Sequence, residues 1–142
     1  MPEYPPVVNQ PRRLTIWQQN LDRGLDNQHE LLQAMGRDRY HFAALQEPYM
    51  DHNKKTRANS WWTAVYPTGH DASEERSRAV TLVSRTLPTN SWSQIHIPCP
   101  DLVGVEFRGD FGTLRIMNIY NDGDHDETLE ALWNYMHSPE SR

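Results

Sequence analysis

Two stretches constrain the fold of this chain more than any others. Ala79-Val80-Thr81-Leu82-Val83 and the run from Leu114 to Ile119 carry apolar residues on both alternating faces. A β-strand of that kind must be covered on both sides. The remaining pattern predicts only two helices. Two helices on one sheet cover one face, so the sequence predicts a sheet face left open for a partner or a second copy.

Periodicity supplies the other elements. Arg13 to Leu21 alternates as a first strand, with Leu14, Ile16 and Gln18 on one side and Thr15, Trp17 and Gln19 on the other. A helix follows, with Asp26 or Asn27 as its expected cap, Glu30 completing a capping box, and Leu31, Leu32 and Met35 as its apolar stripe. Gly36 is the expected stop. Tyr40 to Gln46 returns to strand. Asp51 to Ser60 reads as a polar surface loop, and Trp61 to Tyr66 as a strand with one of its two tryptophans facing the core. His70 to Ser77 reads as a second loop. Strands over 78–85 and 92–97 follow. Leu102 to Arg108 and Gly112 to Tyr120 form a hairpin turned at Gly109-Asp110-Phe111-Gly112. The last helix is expected to be capped by Asp124 and to bury Leu129, Leu132, Trp133 and Met136, spaced i, i+3, i+4 and i+7. The order predicts an α/β (α+β) fold with a mixed, mostly antiparallel sheet and two helices.

Composition bounds the class. Five Trp, six Tyr and three Phe supply core area, and 23% charged residues sit within the globular range. Residues 1–11 hold four of the ten prolines and read as an extended, disordered arm, with one domain over 12–142. A net charge of −5 does not announce a nucleic-acid partner. No apolar run approaches the ~18 residues of a membrane span. The lone Cys99 excludes an internal disulfide framework and points to a reducing, intracellular compartment.

Polar residues cluster at strand ends: Asn20 after the first strand, Gln46-Glu47-Pro48 after the second, Asn118 to Asp122 after the last. In layered α/β folds such termini converge on one rim. A carboxylate beside a carboxamide suits a hard cation, and Mg²⁺ needs only one or two protein carboxylates. The alternating Asp122, Asp124 and Asp126 do not make a calcium loop, because the sixth position is Glu127 rather than Gly and the twelfth is Trp133 rather than Glu.

The ordered set resembles the endonuclease/exonuclease/phosphatase superfamily, and most closely the apurinic/apyrimidinic-type endonuclease domains of non-LTR retrotransposons. The residues carrying the resemblance are Thr15-Ile16-Trp17-Gln18-Gln19-Asn20, Leu45-Gln46-Glu47-Pro48, the run Arg78 to Ser84, and the strand ending in Tyr120. The resemblance implies the N-terminal half of a four-layer α/β sandwich. It implies Glu47 as ligand to Mg²⁺ or Mn²⁺, with Asn20 beside the metal. It implies Tyr120 on the scissile phosphate, a DNA substrate and a nuclear location. Asn121 is a weaker phosphate contact, since relatives continue with Pro-Asn where this chain reads Asn121-Asp122-Gly123.

The superfamily's second half carries Gly-Asp-Phe-Asn, a later Asp and a terminal Ser-Asp-His. None of these occurs in the sequence. The chain is therefore expected to be a truncated domain, weakly active or inactive. The alternative is a non-catalytic interaction module using its exposed sheet face. A complete phosphatase with a different base has no candidate, because no residue pattern positions one.

Overall fold

The structure, a computed structural model, describes residues 13–72 and 77–142. The predicted arm lies outside the described residues, as does part of the second loop. Among these residues, seven strands and two helices run in the order β1 (Ile16–Asn20), α1 (Leu25–Met35), β2 (Phe42–Gln46), β3 (Trp62–Val65), β4 (Ala79–Ser84), β5 (Trp92–Ile95), β6 (Leu102–Gly109), β7 (Gly112–Ile119) and α2 (Glu127–Met136). Short 3-10 turns cover Thr89–Ser91 and Pro139–Ser141.

The strands divide into two sheets, ordered β1-β2-β4-β3 and β5-β6-β7. Among the described residues only β1 and β2 pair in parallel, which is the pairing a crossover helix such as α1 permits. All other pairs are antiparallel. The sheets pack face to face, and each helix covers an outer face. The layers are therefore helix, sheet, sheet, helix.

This arrangement corrects the expectation of an uncovered sheet face. In β2 and β4, Ala43, Leu45, Val80 and Leu82 point toward Leu31, Leu32 and Met35 of α1. Phe42, Ala79 and Val83 point the other way, against Val103, Val105 and Phe107 of the second sheet. Every residue of β2 and β4 is buried. Each fully buried Leu, Val or Phe contributes roughly 1.5–3 kcal/mol of transfer free energy. Phe42 and Phe107 meet edge to face across the layers, with centroids 5.9 Å apart. The outer face of the second sheet packs Ile95, Leu102, Met117 and Ile119 against Ala131, Leu132 and Tyr135 of α2. Gly104 leaves room for its neighbours across the sheet, since a Cβ there would meet Ile95 Cβ and Met117 Sδ at 3.1 Å. What stays open among the described residues is the edges: β1 and β3 bound the first sheet, and β5 and β7 the second.

Both helix caps differ from expectation. The residue preceding α1 is Gly24, with no side-chain cap bond, and Asn27 instead donates to the Leu21 carbonyl at 3.1 Å. At α2 the boundary residue is Asp126, also without a side-chain cap bond, while the Asp124 amide donates to Asp122 Oδ1. Gly36 ends α1 with φ of 67°, as its sequence position suggested. Trp62 is buried and Trp61 is not, as alternation requires. The apolar stripe of α2 is a larger departure. Only Leu132 of the expected four packs on the sheet; Leu129, Trp133 and Met136 are 44, 60 and 62% exposed.

Candidate active site at the rim of the sandwich

β1, β2 and β7 end at one rim. Pairing of Asn20 with Gln46 brings the ends of β1 and β2 level. Beyond Gln46 the chain leaves the ladder. Glu47 takes a left-handed φ of 47°, with its N–H donating to the Arg78 carbonyl at 2.8 Å and its carbonyl accepting from the Arg23 amide at 2.9 Å. Asp22 and Arg23 are left-handed too, at 50° and 58°. Such non-glycine residues persist where the surroundings over-determine them, and here they concentrate around one carboxylate.

The second sheet supplies the partner. Tyr120 follows β7, its amide donating to the Asp101 carbonyl at 2.9 Å. Its hydroxyl donates to Glu47 Oε1 at 3.0 Å. Glu47 Oε2 has no hydrogen-bond partner among the described residues. The Tyr120 hydroxyl is pushed above its usual pKa, chiefly by that bond to Glu47, then by desolvation and the Glu47 charge.

Arg78 organises the same corner. Its Nε and Nη2 donate to Asp101 Oδ1 and Oδ2 at 3.1 and 2.7 Å, and its Nη1 donates to Asp122 Oδ2 at 2.7 Å. The guanidinium carbon lies 4.6 Å from the centroid of the Tyr120 ring. Both carboxylates hold the Arg78 proton more tightly than usual. Asp122 is in turn held below the usual carboxylate range by the Asp124 amide and by Arg78. A cavity of about 440 Å³ opens here, lined by Arg23, Glu47, Pro48, Tyr49, Met50, Ser77 and Arg78. A larger groove, about 650 Å³ between β5 and α2, includes none of Asn20, Glu47 or Tyr120.

The site rests on a buried polar bolt between the sheets. Asn118 donates to the carbonyls of Leu45 and Val80 at 3.1 and 2.9 Å and to Thr81 Oγ1 at 3.2 Å. Its Oδ1 accepts from Gln46 Nε2 at 2.6 Å, and Gln46 also receives a bond from Gln18. The wall after Glu47 is pinned by Gln28, fully buried on α1. Gln28 accepts from the Tyr49 amide at 2.8 Å and donates to Thr56 Oγ1 at 2.7 Å and to the Arg57 carbonyl. His70, also buried, ties the loops together. Its Nε2 lies 2.6 Å from the Lys54 carbonyl, an acceptor, so that nitrogen carries the proton. Ser77 Oγ, 2.7 Å from Nδ1, therefore donates to the ring.

The structure brings together Glu47 and Tyr120. Asn20 sits at the same rim but turns its Oδ1 to the Asp22 amide at 2.9 Å. Asn121 is exposed beside Tyr120. The sequence reading missed Arg78 and Asp101, although strand register gave a signal: a charge opening an apolar run opposite Glu47. It also missed Gln28, Asn118 and the His70–Ser77 pair, which no spacing marks.

A divalent ion fits the donor set. A carboxylate oxygen without a partner at a cavity rim matches the hard-oxygen preference of Mg²⁺, whereas Asn20 does not line that cavity and has its Oδ1 on the Asp22 amide. No group of three or more His, Cys, Asp or Glu side chains stands ready to hold a metal among the described residues. No helix among them is long and apolar enough to cross a membrane.

No family model matches the chain, and no curated protein does. Among solved structures, the endonuclease domain of TRAS1, a telomere-specific non-LTR retrotransposon, superposes with a TM-score of 0.66 at 19% identity. The match covers 87% of this chain and 52% of that one, so the chain spans about half the length of its structural neighbour. The resemblance read from the strand-end motifs is thus matched by the architecture: this chain has, over most of its length, the fold of part of a retrotransposon endonuclease domain.

Proposed function

We propose that this chain is the metal-seating part of a DNA phosphodiester hydrolase. The Tyr120 hydroxyl on Glu47 Oε1, at 3.0 Å across the two sheets, carries the reading. It joins the two residues that the motif resemblance assigns to metal and phosphate, although they lie 73 positions apart. Glu47 would hold Mg²⁺ or Mn²⁺ through its free oxygen, with Asn20 at the same rim. The ion would supply positive charge to the phosphate oxygens and the leaving oxygen.

The chain's own residues bind and orient. Tyr120 is kept protonated by Glu47; its single hydroxyl proton, on Glu47 Oε1 in this structure, would turn to a phosphate oxygen once the carboxylate engages the ion, and Asn121 would add a second contact. Arg78 is neutralised by two carboxylates, so it orients Tyr120 rather than serving as a free anion contact. No positioned base activates water among the described residues. In this reading the base comes from polypeptide outside this segment, and the segment alone is weakly active or inactive. A nuclear location accords with a DNA substrate.

The test is Mg²⁺-dependent binding of a short duplex, followed by fluorescence anisotropy. Wild-type affinity should rise with Mg²⁺, and the Glu47→Gln variant should lose that increment. Equal Mg²⁺ dependence in both proteins contradicts the assignment. A second reading, a non-catalytic interaction module, is favoured by the uncovered apolar flank of α2.

A further inference from the structure

The cavity beside Glu47 has two arginines in its wall, Arg23 and Arg78. Arg78 sets one positive charge against the two carboxylates of Asp101 and Asp122. Glu47 adds a third carboxylate to the same corner. A phosphate entering there meets a surplus of negative charge, and the repulsion acts before any ion is bound. Arg23 is the wall residue that can offset it. It is exposed, and among the described residues no hydrogen bond or ion pair holds its guanidinium.

The turn that carries Arg23 fixes it beside Glu47. Asn20 ends β1, and its Oδ1 accepts from the Asp22 amide at 2.9 Å. The Leu21 amide donates to the Gln46 carbonyl and the Arg23 amide to the Glu47 carbonyl, each at 2.9 Å. The Gly24 amide closes the turn on the Leu21 carbonyl, also at 2.9 Å. Arg23 is thus anchored through its backbone to Glu47 itself. Its φ is 58°, after 50° at Asp22. Glycine and asparagine take that left-handed conformation readily, and a long side chain does not. A turn that needed only its shape would be served better by glycine. An arginine at a strained position points to work for its side chain.

We propose that Arg23 is an anion contact of this site, holding a backbone phosphate of the bound DNA strand on the side where α1 begins, without help from the divalent ion. The inference rests on the reading of this cavity as a DNA phosphodiester site. A guanidinium suits the task, because its planar fork can donate to two phosphate oxygens at once. Asn20 becomes a positioning residue, its carboxamide spent on the turn that presents Arg23. Binding then has two separable parts, an ion-dependent one at Glu47 and an ion-independent one at Arg23.

The test is fluorescence anisotropy of a labelled short duplex in EDTA, across a salt series, repeated with Mg²⁺. The wild type should bind in EDTA. Arg23→Asn removes the charge yet suits a left-handed backbone. It should bind roughly fivefold or more weakly in EDTA, with a salt dependence shallower by about one counterion, and should keep its Mg²⁺ increment. Arg23→Lys should recover the salt dependence but only part of the affinity. Arg23→Gly should melt at or above the wild-type temperature and still bind as weakly as Arg23→Asn. Wild-type affinity and salt dependence in Arg23→Asn or Arg23→Gly overturn the inference, as does a wild type that binds no duplex in EDTA. A wild type without a Mg²⁺ increment sinks the metal reading instead and leaves the Arg23 part standing. Should both variants fail to fold, the Arg23 Nε–H resonance of the wild type decides. It should shift on titration with duplex in EDTA, and an unmoved resonance overturns the inference.

Discussion

Arg78 lies with its guanidinium carbon 4.6 Å from the centre of the Tyr120 ring, and its two donor edges are spent on Asp101 and Asp122. The contact fixes the ring whose hydroxyl reaches Glu47. A charge on the first sheet thereby sets the orientation of a side chain on the second. Both sheets contribute to one corner, and neither builds it alone.

Arg78→Ala should be strongly destabilising. It leaves Asp101, whose side chain is 5% exposed, without its bidentate partner. Removing one member of a buried pair costs about 3–5 kcal/mol, and the partial exposure of Arg78 brings the expected loss to about 2–4 kcal/mol. Urea denaturation measures it. Arg78→Lys keeps the charge but loses the fork, and should recover less than half of the loss. A loss below about 0.5 kcal/mol for Arg78→Ala would mean the network is ornamental.

Asn118→Leu should cost about 2–4 kcal/mol, because the Gln46 amide and the Thr81 hydroxyl lose a buried partner and a branched chain must fit where a planar amide sat. Thermal unfolding should show the loss. A variant as stable as wild type would show that the bolt between the sheets is not holding them.

Glu47→Gln should return the Tyr120 hydroxyl toward its ordinary pKa of 10.0, since the Glu47 carboxylate is the largest cause of its upward shift. The folded value lies above the unfolded one. This bond therefore contributes stability fully below pH 10.0, and the contribution is lost as pH rises through the folded value. An NMR titration of the Tyr120 ring in both proteins measures it; coincident midpoints contradict the proposed pairing.

Asp122 gives the opposite sign. Its folded pKa lies below 3.8, through the Asp124 amide and then Arg78. Its contribution is present above 3.8 and disappears as pH falls through the folded value. Asp122→Asn should narrow the stability difference between pH 6 and pH 3 measured in urea. An unchanged difference removes Asp122 from the account.

Much of this was legible in the sequence, for identifiable reasons. The two-sided apolar run at 79–83 demanded cover on both faces, and it has that cover. The error lay in counting only helices as cover. Period-2 alternation states that a strand is buried twice; it does not state whether a helix or another sheet supplies the second layer. Glu47 and Tyr120 were visible because strand-end polar residues carry a local signature. Arg78, Gln28 and Asn118 act through partners 21 to 73 positions away, and no local spacing encodes those contacts. On α2, i, i+3, i+4 periodicity marked Leu129, Leu132, Trp133 and Met136 as one buried stripe, and only Leu132 packs on the sheet. It gave no account of which neighbour the other three meet.

The proposed seat of a divalent ion on Glu47, beside Tyr120, is open to titration of Mn²⁺ into the chain, read by paramagnetic broadening of backbone amides. Broadening should concentrate at Asn20 to Arg23, Glu47 and Tyr120 to Asp122, vanish in Glu47→Gln and persist in Tyr120→Phe. Broadening that survives Glu47→Gln, or that centres on the acidic groove between β5 and α2, would contradict it.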